Sequence, residues 1–186
     1  AIEIAGGTLV VVGGGRYAVA ADPDMDRVWV VELTTSRVKG KITLPAGSQP
    51  QRVIEDADGR VAVALRGTGQ IAIVSPVSMS VLGISDVCPE LRGLTLDAAN
   101  QTLLAACAGG ELVTIKNGAV QEITRPAPDL RDVVVTGGKR FVSTFRSAQL
   151  IELDAHGTPA KTITWPSVPL APVEGKPTTF VPAVAW

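Results

Sequence analysis

The sequence predicts an all-β chain of repeated four-stranded sheets, and three observations carry that prediction. A strand following a tight connection recurs at RVWVVEL from Arg27, QIAIVS from Gln70, ELVTIK from Glu111 and QLIELD from Gln149. The interval is about 40 residues, the period of four-stranded propeller blades. Val, Ile, Thr and Gly are plentiful, and apolar residues do not recur at helical spacing, so the repeated unit is a sheet. Turn chemistry agrees: Asp58-Gly59, Asn117-Gly118 and Gly137-Gly138 fall between strand runs, where a positive φ is needed and Gly or Asn supplies it cheaply.

Each blade can be read in order around its anchor. The first strands are TLVVV from Thr8, RVIED from Arg52, RGLTLD from Arg92 and RDVVV from Arg131. The second are RYAVAAD from Arg16, RVAVALR from Arg60, TLLAACA from Thr102 and RFVSTFR from Arg140. The anchors are the third strands, and VKGKITL from Val38, MSVLGIS from Met79, AVQEITR from Ala119 and PAKTITW from Pro159 are the fourth. Pro50, Pro89 and Pro128 precede new first strands, where a missing amide hydrogen removes no ladder bond. The blades are thus predicted at about 7–50, 51–89, 90–128 and 129–168.

The ends break the pattern. Residues 1–6 read as the outermost strand of a preceding blade, and 169–186 as a Pro-rich link with the first strand of a following one. A closed four-bladed ring would leave Phe180 and Trp186 in an exposed tail, whereas covering every sheet edge calls for more blades. The expectation is therefore part of a larger ring of about six to eight blades. The remaining blades, from the same or another chain, are expected partners.

Composition narrows the function. The 186 residues carry 17 basic and 18 acidic side chains and a net charge of −1. They are spread along the chain, so no polybasic nucleic-acid surface is expected. No apolar run reaches the roughly 18 residues of a membrane helix.

The stretch VWVVELTTSRVKGKITLPAGSQPQRV resembles the YVTN/YncE-like bacterial β-propeller repeat: a Val-rich strand, an acidic residue, a Thr-rich turn and a Gly-x-x-Pro exit. The third and fourth blades keep the strand order without the exit glycine. The resemblance implies an extracytoplasmic protein, periplasmic or extracellular, in a group spanning binding and surface-layer proteins, lactonase-like enzymes and propellers joined to c-type haem domains. No CxxCH haem-attachment sequence is present, and no cofactor is expected in this segment.

Strand direction sorts the candidate residues by rim. Loops entering first strands and loops joining second to third strands share one rim, here the mouth; the other turns share the far rim. Arg52, Arg92 and Arg131 start first strands and Arg66 and Arg146 end second strands, so all five face the mouth. They could bind a carboxylate or phosphate group bidentately, or pair with Glu90, Asp129 and Asp132 to lock neighbouring blades.

Cys88 and Cys107 approach the same rim and are expected to form a disulfide, which favours an oxidising compartment; two separate buried thiols are the alternative. Asp22, Asp24 and Asp26 have the alternating spacing of a calcium loop, but Arg27 and Leu33 stand where such a loop needs Gly and Glu, so a solvated hairpin tip is the better reading. His156 is the single histidine and falls in a far-rim turn, away from both cysteines. Trp29 and Phe141 are expected to pack between blades.

The function expected from these residues is a non-catalytic binding or scaffold module, with rim loops and channel mouth recognising a protein or small anionic ligand. The alternative is a portion of a propeller enzyme, lactonase-like or redox.

Overall fold

The computed structural model describes residues 7–169 and 180–182. The expected outer strand at residues 1–6, and most of 169–186, lie outside the described residues. The first sheet contains β1 (Leu9–Val12), β2 (Tyr17–Asp22), β3 (Arg27–Glu32) and β4 (Arg37–Thr43). The second contains β5 (Pro50–Glu55), β6 (Val61–Leu65), β7 (Gln70–Ser75) and β8 (Ser80–Asp86). The third contains β9 (Leu91–Asp97), β10 (Thr102–Cys107), β11 (Leu112–Lys116) and β12 (Ala119–Thr124). The fourth contains β13 (Leu130–Thr136), β14 (Lys139–Thr144), β15 (Gln149–Leu153) and β16 (Pro159–Thr164). Each is an antiparallel meander in chain order. The short strands β17 (Ser167–Pro169) and β18 (Phe180–Pro182) pair antiparallel with each other.

Adjacent sheets share apolar cores because alternate residues of each strand point to opposite faces. Val12, Val19, Val28 and Val30 of the first sheet meet Val53, Val61, Val63 and Leu65 of the second. The second and third share Ile54, Ala62, Ala64, Leu91, Leu94 and Val113. The third and fourth share Leu104, Ala106, Leu130, Val133, Val142 and Ile151. Small residues on β6 and β10 bring the sheets close. At Gly93 a Cβ would stand only 2.7 Å from Asp132 Cα, so glycine permits β9 and β13 to touch.

Trp29 and Phe141 do not occupy these cores. Val28 and Val30 point toward the second sheet, so period-two alternation puts Trp29 on the opposite face, in cross-strand rank with Ala20 and Leu9. Val142 likewise faces the third sheet and leaves Phe141 on the other side. The outer face of the first sheet carries exposed apolar residues too: Leu9 and Val11 are 58% and 52% exposed.

Two irregularities recur with the repeat. Every third–fourth strand pair shifts register once, after Val30, Ile73, Thr114 and Glu152. Residues with left-handed φ precede the last three first strands, at Gln49 (46°), Glu90 (50°) and Asp129 (58°).

Candidate functional site at the channel mouth

The mouth is built by bulges in the first strands. In the fourth sheet Leu130 pairs with Thr144 and Asp132 with Ser143, so Arg131 is an extra residue facing one fewer partner. In the third, Leu91 pairs with Cys107 and Gly93 with Ala106, and Arg92 is the extra residue. In the second, the shift lies between Pro50 and Val53 and spans Gln51 and Arg52. A bulge bends its strand and re-aims a side chain that regular alternation would have sent to one face of the sheet. In the first sheet β1 pairs with β2 without a shift and carries no arginine.

Arg52, Arg66, Arg92 and Arg131 line one cavity of about 500 Å³, together with Thr8, Gln51 and Phe145. Four of the five arginines singled out in the sequence therefore share it. Arg146 is not among the lining residues; its side chain is 86% exposed and its Nε lies 3.8 Å from Asp129. Phe145, Thr8 and Gln51 were not singled out. Each neighbours a mouth position in sequence, but only the bulges and the strand ends bring them together.

The arginines divide into two kinds. Arg52 reaches from the second sheet to the fourth, donating from Nη2 to Asp132 at 2.5 Å. Arg92 donates from Nη1 to Asp129 at 2.8 Å and lies 3.5 Å from Glu90. These are the blade-locking pairs. Arg66 and Arg131 have no ion pair with any carboxylate among the described residues. The guanidinium carbons of Arg92 and Arg131 stand 5.6 and 5.2 Å from the Phe145 ring centre, a cation–π arrangement that helps orient them.

The two pairing acids are held differently. Burial opposes ionisation of Asp129, but hydrogen bonds from the Arg92 guanidinium and the Arg146 amide outweigh it and lower its pKa. Burial pushes Asp132 above its ordinary value, against the pull of Arg52, the Val133 amide and the Arg131 charge. Asp132 therefore neutralises Arg52 less completely as the pH falls.

Cys88 and Cys107 are joined by a disulfide, with 6.3 Å between their Cα atoms. The bridge ties the loop entering β9 to the end of β10 beside the mouth. Gly69 sits against the same loop: its carbonyl accepts from the Val87 and Cys88 amides, each at 3.0 Å, and a Cβ there would meet the Cys88 carbonyl oxygen.

Asp26 makes the corresponding connection in the first sheet through its side chain. It accepts from the Gly47 amide at 2.7 Å and the Gln49 amide at 2.8 Å, and these loop amides lower its pKa. Asp22 accepts from Arg27 Nε at 2.7 Å and Trp29 Nε1 at 3.1 Å. Asp24 is exposed. Among the described residues no group of three His, Cys, Asp or Glu side chains is arranged to hold a metal ion. His156 is exposed in the far-rim turn, where its amide donates to Asp154. No helix among the described residues is long and apolar enough to cross a membrane.

No protein-family model and no curated protein sequence matches the chain. Solved structures do. Hydrazine synthase of Kuenenia stuttgartiensis aligns over 87% of this chain and 50% of its own, with a TM-score of 0.75 at 15% identity. A periplasmic gluconolactonase of Pseudomonas aeruginosa aligns over 86% and 53%, with a TM-score of 0.66 at 21% identity. A virginiamycin B lyase of Staphylococcus aureus aligns over 87% and 55%, with a TM-score of 0.72 at 10% identity. The chain spans about half the length of these structures. At such identities the likeness concerns the fold alone: the chain has the fold of a β-propeller, of which it supplies four four-stranded blades.

Proposed function

We propose that the chain is a binding module of an exported β-propeller protein and that its channel mouth recognises a small anionic ligand. The observation that carries this reading is a cavity of about 500 Å³ lined by four arginines and, among the described residues, by no acidic one. Guanidinium groups match carboxylate and phosphate geometry and bind both bidentately. A rigid ring with site residues at bulged strand ends suits recognition.

The ring is completed by further blades. The outward-facing Leu9 and Val11 support this, as does the greater length of the similar solved structures. The YVTN/YncE-type repeat and a periplasmic or extracellular location belong to the same reading, since a structural disulfide is typical of an oxidising compartment.

The test is calorimetric titration of the intact protein with small carboxylates and inorganic phosphate. Binding that disappears in the doubly substituted Arg92→Gln, Arg131→Gln protein, with the thermal transition retained, supports the site. Undiminished binding in that variant leaves the arginines a purely structural role.

A portion of a propeller enzyme is the second reading, favoured by the gluconolactonase and the lyase among the similar structures. Metal analysis of the intact protein separates the two: a stoichiometric metal ion that supports turnover of a lactone would promote the enzyme.

A further inference from the structure

We propose that the mouth cavity selects an organic dianion whose two anionic groups are separated by a short carbon spacer, one group bound by Arg66 and the other by Arg131. This rests on the reading of the mouth as an anion site and adds the class of ligand.

Charge sets the valence. Of the four lining guanidiniums, Arg52 is matched by Asp132 and Arg92 by Asp129. Arg66 and Arg131 have no ion pair among the described residues, Asp132 acting on Arg131 only through space, and among the described residues no carboxylate lines the cavity. Two positive charges therefore remain for a ligand. A monoanion would leave one of them unmatched.

Position sets the spacing. Arg66 follows β6 in the second sheet and Arg131 lies on β13 in the fourth, so the two charges are presented from different blades. Arg52 on β5 reaches β13 with a single side chain, and Arg66 and Arg131 line the same cavity, so one ligand within it can meet both. One compact tetrahedral anion bound bidentately by either guanidinium would leave the other unused. The cavity volume, about 500 Å³, falls within the range typical of organic ligands, roughly 300–1,000 Å³. Phe145 is the apolar surface in the lining: its ring orients Arg131 and is 42% exposed, so it can cover a carbon spacer.

The probes are glutarate, butyrate and inorganic phosphate, titrated into the intact protein by calorimetry at neutral pH and low salt. Glutarate should bind at least about tenfold more tightly than butyrate, the effect of a second charge-assisted contact. Arg66→Gln and Arg131→Gln should each reduce glutarate binding to the butyrate level. Both substitutions are at the solvent-facing mouth, and an unchanged thermal transition verifies folding. Lys139→Gln, on the far rim, should leave all three affinities unchanged.

Equal affinity for glutarate and butyrate would overturn the dianion while leaving the anion site in place. Phosphate binding more tightly than glutarate would overturn the separated charges. If none of the three binds the folded protein, both this inference and the anion-site reading fail.

Discussion

Arg140 on β14 donates to Asp97 on β9 from Nη2 at 2.9 Å and from Nε at 3.3 Å, tying the third and fourth blades together at the far rim. The Asp97 side chain is only 4% exposed and also accepts from Asn100 Nδ2 at 2.9 Å. Removing one partner of such a pair leaves the other poorly compensated. Arg140→Met should therefore cost about 2–3 kcal/mol, less than for a fully buried pair because the guanidinium retains some water. Urea unfolding of the wild type and variant measures it.

The same carboxylate makes stability depend on acid. Burial opposes ionisation of Asp97, but hydrogen bonds from Asn100 and Arg140 outweigh it, and its folded pKa lies below the ordinary value of 3.8. The unfolded chain therefore binds this proton more readily. The contribution is fully present above the unfolded pKa and is lost as the pH falls through the lowered folded one. Asp97→Asn should be less stable than the wild type at neutral pH, and the difference should shrink at the acid end. A constant difference across a pH series of thermal transitions would contradict the assignment.

Asp132 has the opposite sign. Its pKa is raised by burial above 3.8, so holding it ionised costs stability once the pH rises through the folded value, and nothing below the unfolded one. Protonation also weakens its hold on Arg52. Anion binding at the mouth should strengthen as the pH falls through the raised pKa, provided the ligand stays ionised. Asp132→Asn should bind several-fold more tightly at neutral pH and remove that pH dependence, as calorimetry at several pH values will show.

The disulfide closes a loop with a sequence separation of 19. Loop entropy gives it about 3 kcal/mol. Cys107→Ser should lower stability by that order, and reductant should have little further effect on the variant while destabilising the wild type. Comparison of their unfolding midpoints with and without reductant is the measurement.

Gly93→Ala tests how the inner strands meet. The added Cβ would lie 2.7 Å from Asp132 Cα and 3.0 Å from the Val133 nitrogen, backbone atoms that cannot move aside alone. Displacing β13 should cost roughly 1–3 kcal/mol and disturb Arg52–Asp132, so reduced stability should accompany altered anion affinity. An unchanged unfolding midpoint would mean that the strands separate without cost.

The limits of sequence reading appear at particular residues. The anchors at Arg27, Gln70, Glu111 and Gln149 placed the third strands because period-two alternation and turn glycines are local properties. The strand of Trp29 is clear from the sequence, but which of its faces meets the second sheet depends on packing between blades. Asp26 has no local signature of its role, because the amides it accepts from belong to the loop at residues 47–49.

The sequence by itself determined the four-stranded repeat, the sharing of one rim by the five arginines and the proximity of the two cysteines, all consequences of strand direction. The tertiary structure decided which arginines meet. The bulges at Arg52, Arg92 and Arg131 become visible only when partner strands are paired. Ion pairs from separate blades then match Arg52 and Arg92 but, among the described residues, not Arg66 and Arg131. Register and pairing between blades are long-range properties, and they turn a recurring residue type into a cavity with unmatched charge.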